Sequence, residues 1–210
     1  MPQIDDCVIH VVDDDAAFRR SLVFLLESVG WRVASWASAE EFLAAHSQPA
    51  KDLGCLVLDI RMPTMSGLEL QTALEARAWH PPIVFITGHG DVELAVQAMK
   101  RGASDFLQKP FKDQALLDAV AAAVRHGLED RARSALREEA GGLLARLSPR
   151  EREVARLVAL GLPNKLVARE LDISEKTVHV HRQHVMEKTE VGSAAELARL
   201  MLRANPAALD

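Results

Sequence analysis

The sequence predicts an α/β protein: a five-stranded parallel, doubly wound domain, followed by a small all-α domain that contains a helix-turn-helix. Two observations predict this fold class. In the first 126 residues, five short β-rich apolar runs alternate with amphipathic helical segments, the pattern of a parallel sheet with helices on both faces. From residue 148 onward, the apolar residues recur only at helical spacing.

The predicted strands are short apolar runs bounded by polar residues. They are Val8–Val12, Arg32–Trp36, Cys55–Leu58, Ile83–Ile86 and Phe106–Gln108. In parallel sheets of this kind, functional groups gather beyond the carboxyl ends of the strands. This rule singles out Asp13, Asp14, Asp59, Thr87 and Lys109.

Capping signals mark several of the predicted helices. The first helix follows the first strand and stops at Gly30. The residues from Ser38 to Glu41 have the pattern of a capping box and open the second helix. Later, Ser148 begins a helix with proline at its first position, and further helices are predicted over residues 164–171, over 174–188 and from Ser193. The short helices around the tight turn at residues 172–173 indicate a helix-turn-helix.

We expect three segments along the chain. Residues 1–126 form the first domain, residues 127–143 a linker and residues 144–210 the second domain. The middle segment is dense in Arg, Glu and Ala and is bracketed by Gly127, Gly141 and Gly142. This composition is typical of an interdomain linker that could be helical in part.

The composition is that of a soluble globular protein. The 210 residues are 49% apolar and 26% charged, with a net charge of −5. No apolar stretch reaches the ~20 residues needed to cross a bilayer, and Met1 to Asp6 lack the basic start of a secretory signal. We therefore expect a cytoplasmic protein with no membrane partner, in which Cys7 and Cys55 are buried reduced thiols. Charge alone does not indicate nucleic acid, because neither half of the chain is strongly basic.

The acids at the strand ends point to phosphoryl chemistry. Asp13, Asp14 and Asp59 would repel one another, and a hard divalent cation such as Mg²⁺ would relieve that repulsion. Lys109 and the hydroxyl of Thr87 could complete a site for a phosphoryl group. Asp59 stands alone at the central strand and is the best candidate nucleophile for an aspartyl phosphate. Each of these residues, taken alone, could instead be a helix cap, a loop acid or a solvated base. Such separate roles are less able to explain why all of the residues lie at the ends of strands.

Residues 1–126 resemble the receiver domain of response regulators. The motifs that carry the resemblance are Ile9–Asp15 (IHVVDDD), Leu58–Pro63 (LDIRMP) with Ser66 and Gly67, Ile86–Asp91 (ITGHGD) and Asp105–Phe111 (DFLQKPF). The resemblance implies that Asp59 is the phosphoacceptor and that a sensor histidine kinase supplies the phosphoryl group. It also implies a Mg²⁺ ion held by Asp14, Asp59 and the Arg61 carbonyl, with Asp13 acting through water.

The same resemblance implies roles around the phosphoryl group. Lys109 would pair with it, Thr87 would move to hydrogen-bond it, and Phe106 would change rotamer in step. The Lys109–Pro110 peptide would be cis, which X–Pro bonds allow at low cost. Phe106 stands where tyrosine is frequent in the family, so its inward state has no hydroxyl to satisfy.

The C-terminal part resembles the LuxR-type helix-turn-helix. The helix that begins at Ser174 is rich in basic and polar residues, which by itself is also typical of a solvated face. The motifs that carry the resemblance are Leu147–Val154 (LSPREREV), Gly161–Lys165 (GLPNK), Ala168–Leu171 (AREL) and Ile173–His181 (ISEKTVHVH). Together with the receiver, they make the whole chain similar to the NarL/FixJ class of transcriptional regulators.

By this resemblance, residues 174–188 form the recognition helix, which lies in the major groove of DNA. The expected base readers are His179, Val180 and Gln183. The expected phosphate contacts are Lys165, Lys176, Thr177, Arg182 and Lys188. The residues expected to pack in the bundle are Val178, Val185 and Met186. Because His179 stands where lysine is common, we expect modest DNA affinity in the monomer and a need for dimerisation.

The sequence thus predicts a two-component response regulator rather than an enzyme. Phosphorylation would reshape the face formed by the fourth helix (Asp91–Arg101), the fifth strand and the fifth helix. The chain would then form a homodimer on promoter DNA, with RNA polymerase as a further partner.

Two alternatives stay open. One is an aspartate-nucleophile phosphatase or phosphotransferase, although the nucleophile of that class typically follows the first strand. The other is a protein-binding adaptor, against which the C-terminal helices argue.

Overall fold

The computed structural model describes residues 6–50, 52–88 and 92–209. The chain divides into two compact units, Met1–Asp130 and Arg131–Asp210. The division falls inside the segment predicted to be a linker. The motif residues His89 to Asp91, and with them the predicted start of the fourth helix at Asp91, lie outside the described residues.

The first unit is built on a parallel five-stranded sheet with the strand order β2-β1-β3-β4-β5. The strands are β1 Val8–Val12, β2 Arg32–Trp36, β3 Leu53–Asp59, β4 Ile83–Thr87 and β5 Asp105–Gln108. Each observed strand begins and ends within two residues of the corresponding predicted run. The predicted fold class is therefore confirmed. Strand β3 is longer at its start, because Leu53 pairs with Val8 of β1 across a register shift at Gly54.

Helices cover both faces of this sheet. They are α1 Ala16–Ser28, α2 Ala39–Ala45, α3 Gly67–Glu75, α4 Val92–Lys100 and α5 Asp113–Ala145. On β3, Cys55 and Val57 belong to the apolar core under α1 and α5, whereas Leu56 and Leu58 belong to the core under α2, α3 and α4. Because successive side chains of a strand point to opposite faces, a strand buried on both faces is apolar throughout. Cys7 and Cys55 are both buried and reduced, as predicted.

The N-terminal caps of α1 and α2 are formed by different sets of hydrogen bonds. Asp15 caps α1, because its carboxylate accepts from the N–H groups of Ala17 and Phe18. At α2, Ser38 accepts from the Glu41 N–H, but the Glu41 carboxylate accepts from the N–H of Ala37. The capping box predicted at Ser38 is therefore only half formed, since its return bond goes to the residue before the cap.

Helix α5 runs without a break through the predicted linker, from Asp113 to Ala145. Residues 127–143 are helical throughout, beyond the partial helix that the sequence suggested. Gly127 does not interrupt the helix. It lies against Pro82, and a Cβ at this position would approach the Pro82 Cγ to 2.4 Å. Gly127 therefore permits close packing against Pro82. The prediction that it marks the start of a linker is not supported by the helix.

The second unit contains the end of α5 and four further helices: α6 Pro149–Ala159, α7 Asn164–Glu170, α8 Glu175–Thr189 and α9 Ala194–Ala204. A capping box at Ser148 starts α6, as predicted. Helices α7 and α8 form the predicted helix-turn-helix, and Asp172 has a φ of 52° in the turn between them. The core of the unit joins Val154, Val167 and Val178 from three different helices. Within the described ranges, no helix is long and apolar enough to span a membrane.

Gly67 fixes the start of α3 directly beneath the end of β3. Its N–H donates to the Ile60 carbonyl at 3.0 Å. A Cβ at this position would lie 2.4 Å from the Asp59 carbonyl oxygen and 3.0 Å from the Leu58 Cγ. The backbone of Asp59 can hold its position only because residue 67 has no side chain.

We predict that Gly67→Ala destabilises the first unit by about 2 kcal/mol, because the added methyl group overpacks against backbone that cannot yield. Gly88→Ala is the matched control, since a Cβ there meets nothing within 4 Å. All three tryptophans, at positions 31, 36 and 79, belong to this unit. Urea unfolding followed by tryptophan fluorescence therefore isolates its transition. Equal midpoints for the two variants would contradict the prediction.

Candidate functional site

Three carboxylates meet beyond the ends of neighbouring strands. Asp13 and Asp14 follow β1, and Asp59 is the last residue of β3, which pairs with β1. Each offers one oxygen to a group whose members all lie within 4.8 Å of one another. Asp13 and Asp59 are buried, whereas Asp14 is exposed. The predicted acid cluster therefore exists, and one of its members faces solvent.

Lys109 supplies a positive charge to this cluster. Its Nζ lies 3.1 Å from Asp13 Oδ2 and 3.3 Å from Asp59 Oδ1. The backbone holds the lysine in place, because its N–H donates to the Thr87 carbonyl at 2.7 Å. The Lys109–Pro110 peptide is cis, as predicted. The ammonium also lies over the ring of Phe18, 4.0 Å from the ring centroid.

The backbone and side chain of Asp13 are both fixed by neighbours on the β1–α1 turn and on α1. Asp13 Oδ1 accepts from the Asp15 N–H at 2.9 Å. The Arg19 guanidinium donates to the Asp13 carbonyl oxygen at 2.6 Å. With Lys109 on its other carboxylate oxygen, Asp13 is held in a single orientation.

Burial and crowding perturb the two buried acids. Burial raises the pKa of Asp59 to about 6, an effect that the Lys109 ammonium opposes and the Asp13 carboxylate reinforces. The pKa of Asp13 is also raised, again mainly by burial, with Lys109 acting in the opposite direction. Three carboxylates face one ammonium, so the pocket has an excess of negative charge. Carboxylate oxygens are the ligands Mg²⁺ prefers, and the donor set therefore fits this ion.

The other predicted site residues lie on the adjoining strands. Thr87 ends β4 and is buried, and Ile86 before it pairs with Asp59. Phe106 on β5 is partly buried against the core under α2, α3 and α4. Arg61 is exposed, two residues after Asp59. The structure thus brings together Asp13, Asp14, Asp59 and Lys109, with Thr87 at the end of the neighbouring strand.

Sequence reasoning missed Phe18 and Arg19 as parts of this site. Neither residue was predicted to contribute to the acid cluster. Their positions within the first turn after Asp15 were the available signal, since residues there lie beside the carboxyl end of β1.

Helix α8 has two different faces. The face toward the core buries Val178 and Val185 and partly buries Met186, as predicted. The predicted base readers His179, Val180 and Gln183 are all exposed. Three of the predicted phosphate contacts are also exposed, namely Lys165 on α7 and Lys176 and Thr177 on α8.

The two remaining predicted phosphate contacts are engaged inside the second unit. Arg182 donates to Asn164 Oδ1 at 3.1 Å. Lys188 donates to both carboxylate oxygens of the buried Glu151, at 2.8 and 2.7 Å. The Lys188 ammonium, helped by the Ser148 N–H, lowers the pKa of Glu151 to about 2. Glu151 therefore joins the start of α6 to the end of α8.

The fold and its sites define a class of protein. A doubly wound parallel sheet with an acidic pocket and a lysine at its carboxyl edge is joined, in one chain, to a helix-turn-helix unit. A family model of the response regulator receiver domain matches residues 9–121. A model of the luxR family of bacterial regulatory proteins matches residues 145–201.

Similar proteins match nearly the whole chain. The transcriptional regulatory protein FixJ of Azorhizobium caulinodans is 48% identical over 202 residues, 96% of this chain and 95% of that protein. Nodulation protein W of Bradyrhizobium diazoefficiens is 48% identical over 193 residues, 92% of this chain and 84% of that protein. The chain belongs to the two-component response regulators of the NarL/FixJ class, with a receiver domain and a LuxR-type DNA-binding domain.

Solved structures agree with this assignment. The response regulator StyR matches with a TM-score of 0.79 and 45% identity, covering 92% of this chain and 96% of that chain. Full-length FixJ from B. japonicum matches with a TM-score of 0.60 and 44% identity, covering 95% of this chain and 98% of that chain. Both similarities extend over the receiver and the helical C-terminal part together.

We predict that Asp59→Asn stabilises the metal-free receiver, and that the gain depends on pH. Because the folded-state pKa of Asp59 is raised to about 6, ionisation costs stability as the pH rises through the interval from its unfolded value to 6. The gain should be near zero at pH 4 and reach about 1–3 kcal/mol above pH 7. Urea unfolding with chelator present measures it.

The exposed acid Glu93 provides the control for this experiment, because Glu93→Gln should leave the pH profile unchanged. Adding Mg²⁺ should stabilise the natural chain and have less effect on the Asp59→Asn variant. A gain from Asp59→Asn that is the same at pH 4 and pH 8 would contradict the assigned cause.

We predict that Lys188→Met destabilises the second unit by about 1–2 kcal/mol, because the buried Glu151 carboxylate loses its ammonium partner and is left with the Ser148 N–H and with His184, whose Nδ1 lies 3.7 Å away. The lowered pKa of Glu151 stabilises the fold above its ordinary pKa, and this contribution is lost as the pH falls toward 2. Glu151→Gln should therefore flatten the acid limb of the stability curve. Circular dichroism between pH 2 and pH 6 measures both effects. Unchanged stability of Lys188→Met at pH 6 would contradict the structural role of this ion pair.

Proposed function

We propose that Asp59 accepts a phosphoryl group from a sensor histidine kinase and that the phosphorylated chain dimerises and binds specific promoter DNA to regulate transcription. The observation that carries this proposal is the cluster of Asp13, Asp14, Asp59 and Lys109, in the same chain as a helix-turn-helix that exposes His179, Val180 and Gln183. RNA polymerase is the further partner that a promoter-bound regulator requires. Since these partners act on the chromosome, we place the protein in the cytoplasm.

The phosphoryl transfer uses groups already in place. A carboxylate oxygen of Asp59 attacks phosphorus, and the bond from phosphorus to the donor nitrogen breaks. The Lys109 ammonium, 3.3 Å from Asp59 Oδ1, balances charge on the transferred group. Asp14, Asp59 and the Arg61 carbonyl would hold Mg²⁺, with Asp13 acting through water. The ion would neutralise the phosphoryl oxygens.

The response would travel through the neighbouring strands. Thr87 ends β4, and Phe106 lies on β5, paired with Phe85. A shift of Thr87 toward a phosphoryl group would open space for Phe106 to turn inward. Helix α4 presents Val96 and Met99 to solvent, 47% and 46% exposed. We propose that this apolar surface, with β5 and α5, is the homodimer face.

The DNA contacts follow from the exposed face of α8. Val180 offers an apolar contact for a thymine methyl group, and the amide of Gln183 matches the adenine edge. His179 can contact a guanine edge. We propose that Lys165, Lys176 and Thr177 contact phosphates, while Arg182 and Lys188 would reach DNA only by leaving their partners Asn164 and Glu151. Two such helices in a dimer would meet half-sites about one DNA turn apart.

A groove beside Asp59 is suited to the kinase. It encloses about 720 Å³ between α1 and the segment after β5, and Lys109 and Gly88 lie in its wall. Phe24 on its α1 side is 76% exposed, an unusual position for so large an apolar ring. We propose that the helical phosphotransfer segment of the kinase docks here, with its phosphohistidine directed at Asp59.

The test of the proposal is phosphorylation by acetyl phosphate or binding of beryllofluoride in the presence of Mg²⁺. We expect mass spectrometry to locate the phosphoryl group on Asp59, gel filtration to show a dimer, and binding to genomically selected DNA to tighten at least tenfold. Asp59→Asn should stay monomeric under the same conditions. In the unphosphorylated monomer, the logarithm of the binding constant should fall only shallowly with salt, because few phosphates are contacted. A chain that is labelled on Asp59 yet stays monomeric would overturn the dimerisation step.

For the groove, we predict that Phe24→Ser slows phosphotransfer from the kinase roughly tenfold, the effect of losing about 1.4 kcal/mol of contact. Phosphorylation by acetyl phosphate, which needs no docking, should keep its rate. Val96→Ser is the matched control, since it removes an exposed apolar side chain on α4 and should weaken dimerisation without slowing transfer. If both variants transferred equally fast, the docking site would lie elsewhere.

A further inference from the structure

The ammonium of Lys109 has an aromatic neighbour in addition to its two acids. Its Nζ lies 4.0 Å from the centroid of the Phe18 ring, while Asp13 and Asp59 stand at 3.1 and 3.3 Å. Phe18 comes from α1, and Lys109 follows β5. The Phe111 ring braces the Phe18 ring from the side, with centroids 6.1 Å apart and planes inclined by 73°. The ring is therefore held face-on to the ammonium.

We propose that Phe18 is a positioning residue for phosphoryl transfer, whose π face keeps the Lys109 ammonium directed at Asp59. The inference rests on the proposed function, because the step it serves is phosphorylation of Asp59. Phe18 itself does not touch the transferred group. It acts through Lys109.

The physical reason is the freedom of the lysine side chain. Lysine carries its charge on a flexible four-carbon stem, and the Lys109 side chain is 28% exposed, so solvent competes for the ammonium. A cation–π contact favours the placement of the ammonium over the ring, the more so the further it is desolvated, and it should raise the population of the directed rotamer several-fold.

An aromatic ring suits this purpose better than a third carboxylate would. The ammonium has three N–H donors, and a ring face attracts its charge without accepting a conventional hydrogen bond. The donors stay available for Asp13, Asp59 and the incoming phosphoryl oxygens. A carboxylate at the same place would compete with Asp59 for the ammonium and add to the negative charge of the pocket.

Phe18 also packs against the apolar core under α1 and α5, so a purely steric role must be separated from an electrostatic one. Fluorination of the ring separates them, because successive fluorines weaken the negative potential of its face with little change of shape. The experiment uses the full chain with mono-, di- and trifluorophenylalanine at position 18. The readout is the rate of Asp59 phosphorylation by acetyl phosphate with Mg²⁺.

We expect the rate to fall stepwise with fluorine number, reaching a three- to tenfold loss, with Phe18→Leu at the low end of the series. The same fluorinated residues at Phe42, which is buried in the core on the other face of the sheet, should leave the rate unchanged. Tryptophan fluorescence confirms that each variant stays folded. A rate that is constant across the series but lowered by Phe18→Leu would show a packing role and overturn the proposal.

A second measurement tests the contact without any phosphorylation. Protons held over a ring face are shifted upfield, so the Lys109 ε-methylene signal should move downfield in Phe18→Leu. Absence of this change would overturn the inference even if Asp59 is phosphorylated normally. If the shift is present but the natural chain is never phosphorylated, the proposed function fails and the positioning role fails with it, while the contact itself stands.

Discussion

The excess of negative charge in the pocket at the end of β1 and β3 is the constraint on which the rest of the receiver depends. Two of its carboxylates are buried, and among the described residues Lys109 is the ammonium that reaches them, so the negative charge of the pocket is incompletely balanced. The backbone nevertheless holds the acids together, through the Asp15 N–H, Arg19 and the close approach of Gly67. A pocket that is rigid and short of positive charge favours a divalent cation, and then a phosphoryl group held between that cation and Lys109.

The second unit solves a different problem, which is how to present a helix firmly while leaving one side of it free. The apolar side chains of α8 enter the bundle core, and the Glu151–Lys188 pair joins the far end of the helix to the start of α6. Glu151 also closes the capping box of α6 with Ser148, so one carboxylate orders two helices. A few interior contacts therefore hold α8 in place. The described contacts show no part for its outer face in holding the unit together.

The sequence predicted which residues lie at the ends of the strands. It did not predict contacts between side chains that are far apart in the chain. Apolar runs located the strands, and so the residues beyond them, including Asp59 and Lys109. A local motif could not tell that the Glu41 carboxylate turns to the N–H before its cap. The resemblance to the LuxR-type helix-turn-helix predicted Lys188 as a phosphate contact, and nothing nearby in the sequence shows that its partner in the fold is a buried acid 37 positions earlier. The ring under Lys109 comes from Phe18, 91 positions away, and looked like any other core residue of a helix.

The division of α8 into an anchored side and an open side has an evolutionary consequence. Replacing Lys188 alone removes the ammonium from the buried Glu151 carboxylate, so a change at Lys188 favours a compensating change at Glu151. The side chains at positions 179, 180 and 183 are exposed, so single replacements there should leave the fold intact. With the DNA contacts proposed above, gene duplicates of such a regulator would acquire new operators one mutation at a time, with little loss of folding along the way.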